Sequence, residues 1–413
     1  MMTGRLTAPP SGAPMPPRLP TPPDFRQPLG RAVGILHGFT AGSAVACDPG
    51  VPVLAALVAA TDSGSGSGSA ASAARRAVAA WVTTVGRGPG HHALYNSGLA
   101  GTLVGLHHAA ALHPPLLRLA DRLRGHLLTT AGQRPWRTEQ VALPDYDLIS
   151  GPSGTLLALY ATSPVPAQAA PLVDHLVELC DSAALPRLRT GPYENDPDLH
   201  WLHGRINTGT GHGVAGLTTA LTAAVRRTGP EPRLVRALRR TVDWLVRQSF
   251  TDDRSVRSWA AAGHDGTPPA PGPWPRQAWC YGNPGVTWAL WDAADALGDE
   301  RTAAWAATAF TTLADAYDPD YHLYGELPAD RLGICHGAAG VLAVADAFAR
   351  HARLPAAAGL RTELLRHLEA RLPELDEPTW HPGLLGGTTG VLAALLTAGH
   401  GASRSWLTCL GLR

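Results

Sequence analysis

The feature that most constrains the fold is a Gly-x-x-Gly pair that recurs six times, each time at the start of an apolar run. The intervals between successive pairs are 53, 62, 69, 55 and 50 residues, and the pairs are Gly98–Gly101, Gly151–Gly154, Gly213–Gly216, Gly282–Gly285, Gly337–Gly340 and Gly387–Gly390. Because the chain has 45 glycines in 413 residues, about five such pairs would occur by chance. The evidence for a repeat is therefore the Ala-, Leu- and Val-rich run that follows every pair.

The segments between these runs are amphipathic. In residues 234–246, six apolar side chains form one stripe and arginines lie opposite them, which is typical of a helix that packs on one face. Each unit of 50–70 residues is therefore predicted to contain a buried inner helix and an amphipathic outer helix. Six such pairs either stack as an open solenoid or close into a ring. Closure would bring the six glycine corners together at one end of the inner helices.

Composition excludes several classes of partner and compartment. The formal net charge is +1 and only 16% of residues are charged, which gives no reason to expect nucleic acid or an anionic membrane as a partner. Five scattered cysteines are too few for a disulfide framework and suit a reducing compartment. The sequence has no signal peptide and no apolar run near ~18 residues. A cytoplasmic protein without an integral membrane segment is predicted.

Two stretches fall outside the repeat. Residues 1–24 contain eight prolines and are expected to be extended or disordered. Residues 63–69 alternate glycine and serine and are expected to form a flexible loop. The remaining chain, residues 25–413, is predicted to be a single domain.

Metal-binding side chains occur at two equivalent corners. Cys280 precedes the corner at Gly282, and Cys335 with His336 precedes the corner at Gly337. Two cysteines and one histidine can bind zinc and leave its fourth position open, which is the arrangement of catalytic zinc sites. A lone buried cysteine is more often a small hydrophobic residue. That interpretation is kept for the other cysteines, which are Cys47, Cys180 and Cys409.

Candidate acid and base residues also lie near corners. His212 is flanked by two glycines, so it is poorly placed for core packing and well placed to act as a general acid, although it could simply bond the backbone. Asp147 precedes Gly151 by four residues; the ordinary role of such a residue is a turn or helix cap, and Asp145 competes for the same function. Arg276 could donate to a developing oxyanion or be a solvated loop cation.

Four corners together identify a resemblance. They are Tyr146-Asp147-x-x-x-Gly151-x-x-Gly154, Gly211-His212-Gly213-x-x-Gly216, Cys280-Tyr281-Gly282-x-Pro284-Gly285 and Cys335-His336-Gly337-x-x-Gly340. These motifs resemble those of the lanthionine synthetase C-like family, the lantibiotic cyclases. The resemblance covers residues 30–410, and the Trp-Cys-Tyr-Gly-x-Pro-Gly motif with a later Cys-His-Gly is its most specific part.

The resemblance implies an α/α toroid, one zinc ion, and addition of peptide cysteine thiols to dehydroalanine or dehydrobutyrine to form (methyl)lanthionine. It implies that Cys280, Cys335 and His336 bind the zinc. It also implies that His212 and Asp147 form the acid–base pair, with Arg276 and Tyr281 beside them. The expected partners are a dehydrated precursor peptide with a leader and, because no dehydratase or kinase region precedes the cyclase part, a separate dehydratase.

Three other functions remain compatible with the residues. The same zinc site could add a small thiol such as glutathione to dehydrated residues. A helical-repeat scaffold with a structural zinc would need a fourth cysteine or histidine ligand. A metal-free toroid of the carbohydrate-active kind would need paired carboxylates, and Asp145 with Asp147 is the one close pair near a corner.

Overall fold

The computed structural model describes residues 26–40, 42, 47–62, 68–87, 90–162, 169–264, 276–377 and 379–413. The proline-rich residues 1–24 and most of the Gly/Ser stretch, residues 63–67, lie outside these ranges. Sixteen α-helices and one two-stranded antiparallel sheet occur within them. They are α1 (Arg26–Gly38), α2 (Gly50–Asp62), α3 (Ser69–Val82), α4 (Leu99–Ala109), α5 (Leu117–Ala131), α6 (Pro152–Thr162), α7 (Ala170–Leu179), α8 (Val214–Thr228), α9 (Pro232–Arg247), β1 (Phe250–Thr251), β2 (Arg257–Ser258), α10 (Asn283–Leu297), α11 (Glu300–Ala316), α12 (Pro319–His322), α13 (Pro328–Leu332), α14 (Ala338–Ala347), α15 (Pro355–Ala370) and α16 (Thr388–His400).

The inner layer is a closed ring of helices. Each packs on the next in the order α2, α4, α6, α8, α10, α14, α16, and α16 packs back on α2. A second layer lies outside it: α3, α5, α7, α9, α11 and α15 each pack on the inner helix that precedes them, and α1 packs on α16 and α3. The predicted α/α toroid is confirmed.

The number of repeats is seven, which corrects the predicted six. The additional inner helix, α2, begins at Gly50 after Asp48 and Pro49, without a Gly-x-x-Gly pair. A single glycine allows the close approach of α2 to the neighbouring corner: a Cβ on Gly50 would lie 2.2 Å from Thr389 Oγ1 and 2.8 Å from the backbone nitrogen of Leu384. The motif counted in the sequence therefore missed this corner, although the corner packs as closely as the others.

Apolar content distinguishes the two layers. Every residue of α14 is buried, which is typical of a helix packed on all sides. The outer helix α9 buries a single stripe that includes Leu234, Leu238 and Leu245, and its arginines lie on the other face. No helix in the described ranges combines the length and apolarity needed to cross a bilayer.

Residues 405–413 lie in the middle of the ring rather than outside it. A short 3-10 helix, Ser405–Leu410, packs on α6, while Trp406 Nε1 donates to Thr397 Oγ1 of α16. Gly411 lies so close to α8 that a Cβ there would be 2.9 Å from Thr219, and Arg413 pairs with Asp292 of α10 at 2.7 Å. This stretch, which we call the central segment, lies within the ring of inner helices.

Candidate active site

The corners repeat more strictly than their spacing suggests. Counted back from the second glycine of each pair, positions five and four are Gly211-His212 in one corner, Cys280-Tyr281 in the next, and Cys335-His336 in the one after that. Their inner helices α8, α10 and α14 are consecutive in the ring. Equivalent positions of neighbouring repeats face one another, so these side chains come together although they are far apart in the chain.

Backbone hydrogen bonds join each corner to the next. The Thr210 N–H donates to Cys280 O (2.8 Å), the Cys280 N–H to Cys335 O (3.3 Å), and the Cys335 N–H to Leu385 O (2.9 Å). Similar bonds run from Leu148 to Gly211 and from Tyr95 to Ile149. The positions of both cysteines are therefore set by the main chain, not by side-chain packing alone.

The predicted metal ligands converge. One potential ligand atom from each of Cys280, Cys335 and His336 lies within 4.8 Å of the other two. Cys280 is buried, and the other two side chains are partly exposed. The neighbouring corner approaches Cys280 closely at Gly211, where an added Cβ would lie 3.4 Å from Cys280 Cβ. No other group of three such side chains with this geometry occurs in the described part of the chain.

The chemistry of the donor set fits a zinc ion. Burial, together with the adjacent Cys335, raises the pKa of Cys280, whereas a hydrogen bond from Cys280 lowers the pKa of Cys335. Two thiolates side by side repel each other, so in the absence of a cation one thiol retains its proton. A divalent ion removes that restriction because it deprotonates coordinated thiols. Two sulfur ligands and an imidazole are a zinc-type ligand set.

His336 is held by a carboxylate. Its Nδ1 lies 3.2 Å from Asp330 Oδ1, and hydrogen bonds to Cys335 and Asp330 raise the pKa of His336 against the effect of burial. Metal-binding histidines commonly bond a carboxylate through the second ring nitrogen. The Asp330 contact thus leaves Nε2 as the natural ligand atom.

His212 and Asp147, the two residues expected to act as acid and base, are in direct contact. His212 Nδ1 and Asp147 Oδ2 are 2.5 Å apart, with Asp147 fully buried and the His212 side chain 34% exposed. Burial lowers the pKa of His212, but the hydrogen bond and charge of Asp147 outweigh this effect and raise the pKa above its ordinary value. The second oxygen, Oδ1, accepts the N–H groups of Ser150 and Gly151 at 2.7 Å. Asp147 is therefore both the turn cap and the partner of His212.

Asp145, the alternative to Asp147 as the acid–base partner, makes a different set of contacts. Its Oδ2 accepts the Ala142 N–H at 2.8 Å and its Oδ1 accepts the Arg137 N–H at 3.2 Å. It caps a short 3-10 turn and makes no contact with His212 in the described structure.

Tyr281 and Arg276 line the same region. Tyr281 Oη accepts a hydrogen bond from Asn207 Nδ2 at 2.8 Å, and burial raises the pKa of this tyrosine. The Arg276 guanidinium lies 4.3 Å from the ring centre of Tyr324 and donates to the Tyr324 carbonyl at 3.2 Å. Its positive charge lowers the pKa of Cys280 against the larger effect of burial.

Three residues that support the site were not predicted from the sequence: Asn207, Tyr324 and Asp330. Asn207 caps its corner, because Oδ1 accepts the Gly209 N–H at 2.8 Å, as Asp147 does one repeat earlier. An amide or carboxylate shortly before each corner is a signal that could have identified Asn207. Tyr324 lies in the loop after α12 and Asp330 in the short helix α13; both are outside the repeated corner motif, and nothing in the sequence distinguishes them.

The remaining cysteines are structural in the described chain. The Cys47 thiol donates to Thr84 O at 3.4 Å. Burial raises the pKa of Cys180, and it raises the pKa of Cys409 to about 12. None joins the group of three, so within the described residues no fourth sulfur ligand closes the site.

The chain is thus an α/α toroid with a cysteine–histidine cluster at its corners, and a protein-family model matches the same chain. The model described as lanthionine synthetase C-like protein matches residues 51–410, so the chain belongs to the lanthionine synthetase C-like family.

Among solved structures, the fold is similar to that of nisin cyclase. The TM-score is 0.74, and the match covers 94% of this chain and 96% of that chain at 18% sequence identity. At this identity the similarity shows the fold. A comparison with curated proteins finds no match.

Proposed function

We propose that this chain is a zinc-dependent cyclase that adds the cysteine thiols of a dehydrated precursor peptide to dehydroalanine or dehydrobutyrine, forming (methyl)lanthionine rings. The observation that carries the proposal is the convergence of Cys280, Cys335 and His336 within 4.8 Å, beside the His212–Asp147 pair on the adjacent corner. Membership of the family and the fold similarity to nisin cyclase support it.

The three clustered side chains would hold the zinc ion, which supplies a Lewis acid that keeps an incoming thiol deprotonated near neutral pH. This matters because a free cysteine, with a pKa near 8.5, is only a few per cent thiolate at pH 7. The donor set offers two sulfurs and one nitrogen, so a fourth position remains for the substrate.

His212 supplies the proton that completes the addition. As the thiol sulfur bonds the β-carbon, the carbon–carbon double bond opens and negative charge develops on the amide oxygen. The thiol releases its proton to solvent, and protonated His212 delivers one proton to the α-carbon from Nε2, because Nδ1 is engaged by Asp147; His212 then regains a proton from solvent. The net result is addition of S–H across the double bond. Asp147 stabilises the imidazolium and orients the ring.

Arg276 and Tyr281 are proposed to stabilise the oxyanion. Arg276 is held by the ring and the carbonyl of Tyr324, and Tyr281 by Asn207. Both side chains are thus oriented before the substrate arrives, and preorganised donors are what stabilise developing charge effectively.

The test is metal analysis and ring formation for the wild type, Cys335→Ala and His212→Ala. We expect Cys335→Ala to lose both zinc and cyclisation. His212→Ala is the matched control from an equivalent corner: it should retain zinc and slow ring formation by about 10²–10⁴-fold. Cyclisation leaves the peptide mass unchanged, so alkylation of residual thiols followed by mass spectrometry counts the rings.

Three outcomes would contradict the proposal. Cys335→Ala with full zinc and normal turnover would remove the metal centre. Loss of zinc in His212→Ala would make His212 a ligand. Formation of glutathione adducts in place of rings, when both substrates are supplied, would assign the site to addition of a small thiol.

A further inference from the structure

The central segment accepts hydrogen bonds from three aromatic side chains through three consecutive carbonyls. Tyr95 Oη donates to Cys409 O, Trp279 Nε1 to Leu410 O and Trp288 Nε1 to Gly411 O, each at 2.9 Å. All three donors are at most 3% exposed. Because a buried carbonyl without a hydrogen-bond partner is destabilising, these bonds fix where the central segment lies within the ring.

One of the three donors adjoins a proposed metal ligand. Trp279 immediately precedes Cys280, whereas Trp288 lies within α10, more than one turn further along. Trp279 also packs between the two corners that carry the ligands. A Cβ on Gly285 would lie 2.0 Å from Trp279 O, and one on Gly340 would lie 2.9 Å from Trp279 Cβ. Movement of Trp279 would therefore change the separation of Cys280 from Cys335.

The central segment is anchored independently at its far end. Arg413 pairs with Asp292 at 2.7 Å and with Asp295 at 2.9 Å, and Arg404 contacts Asp346 of α14. Gly411 has a φ of +69° and no room for a Cβ beside Thr219. The carbonyl of Leu410 is thus presented to Trp279 by a stretch fixed on both sides.

We propose that the central segment is a positioning element for the metal centre: residues 405–413 hold Trp279, and Trp279 holds Cys280 at ligand distance from Cys335 and His336. Trp279 is a positioning residue, since it acts on the metal through Cys280. This inference rests on the proposed zinc site and assigns to the centre of the ring a role in that site.

The structure offers a matched pair of substitutions. Trp279→Phe and Trp288→Phe each remove one indole N–H from the same segment and keep an aromatic ring, but only the first is adjacent to a ligand. The zinc affinity of the full-length holoprotein is measured by competition with a chromophoric chelator. We expect Trp279→Phe to weaken zinc binding about 10-fold, the lower end of the effect of residues that orient ligands, and Trp288→Phe to change it less than about threefold.

A second substitution tests whether the effect passes through the segment. Gly411→Ala displaces the segment without touching Trp279, and it should also weaken zinc binding. The double variant with Trp279→Phe should show less than the product of the two separate effects, because both break the same connection. If Gly411→Ala does not fold, Tyr95→Phe replaces it, since it removes the neighbouring bond at Cys409 O.

The outcomes separate this inference from the proposed function. A wild type that binds no zinc refutes the proposed function itself. A wild type that binds zinc refutes only the positioning role if Trp288→Phe weakens binding as much as Trp279→Phe, or if the effects of Trp279→Phe and Gly411→Ala are independent. Selective weakening by Trp279→Phe with non-additive coupling supports it.

Discussion

At the scale of single residues, the chemistry of His212 depends on what surrounds its ring. Burial disfavours the charged imidazolium, and the Asp147 carboxylate at 2.5 Å favours it. The hydrogen bond and charge of Asp147, with a smaller contribution from the charge of Cys335, together outweigh burial, so the pKa of His212 lies above that of an isolated histidine. This is the property that a general acid working near neutral pH requires.

Asp147→Asn tests this balance. The amide oxygen can still accept the Ser150 and Gly151 N–H groups, so the corner should remain folded, but the charge beside His212 is lost. Burial then dominates and the pKa of His212 falls below its ordinary value. Because the proposed general acid acts in its protonated form, the alkaline limb of the pH–rate profile should move to lower pH. Zinc content should not change.

The measurement is the rate of ring formation between pH 5 and 9, with zinc determined in parallel. An unchanged alkaline limb would show that Asp147 serves only as a turn cap. Loss of zinc would show that the substitution disturbs the neighbouring corners.

The sequence predicted the residues of the site where they occupy repeated positions. Cys280 and Cys335 both lie five residues before the second glycine of their pairs, and His212 and His336 both lie four before it. Asp330 could not be predicted, since it contacts His336 from the short helix α13, which lies outside the repeated corner motif. The role of Asp147 needed the resemblance, because a capping aspartate and an acid–base partner have the same local sequence.

At the scale of elements, the corner glycines bring the first turn of each inner helix against the preceding backbone. The Cβ of an alanine at position 340 would lie 1.9 Å from Ile334 O. This contact, repeated with Leu148 O at Gly154 and Thr210 O at Gly216, explains why the second glycine of each pair is required. The helices themselves have ordinary helical conformations there.

Gly340→Ala should therefore be strongly destabilising. The added methyl group meets backbone oxygen and Trp279 Cβ, neither of which can move freely, so we expect a cost above about 3 kcal/mol and loss of zinc. Gly359→Ala in α15 is the matched control: the position is exposed, nothing lies within 4 Å of the new Cβ, and replacing a helical glycine should stabilise by about 0.5–1 kcal/mol.

Chemical denaturation of both variants measures the two effects. Equal stability of Gly340→Ala and the wild type would mean that the corner can relax, and the close approach would then not explain the glycine.

At the scale of the whole molecule, the ring is closed by elements from both ends of the described chain. α16 packs on α2, and α1 completes the outer layer beside α16 and α3. The sequence predicted two layers from the alternation of apolar and amphipathic segments, but it gave six repeats. The seventh, α2 with its outer helix α3, was missed because α2 starts from a single glycine and not from a Gly-x-x-Gly pair.

Asp346 connects three parts of this ring. The carboxylate of this buried residue on α14 pairs with Arg350 at 2.9 Å, with Arg361 of α15 at 3.2 Å, and with Arg404 next to the central segment. Asp346→Ala leaves these cations without their shared partner and should lower the free energy of unfolding by about 3 kcal/mol.

Asp376→Ala provides the comparison. Asp376 pairs with Arg31 at 2.6 Å, but its side chain is 60% exposed, so its removal should cost less than about 1 kcal/mol. Denaturant unfolding followed by tryptophan fluorescence distinguishes the two. Similar losses would show that the buried cluster contributes no more than a surface pair.

The filled centre of the ring has a consequence for how a peptide is handled. Residues 405–413 pack against α6, α8, α10 and α16, and in the described part of the chain they obstruct the centre of the ring. Under the proposed function, a peptide substrate would then both enter and leave the site at the end of the ring that carries the glycine corners. Successive lanthionine rings would then be formed in separate binding events. A folded domain fused to either terminus of the peptide would not prevent cyclisation.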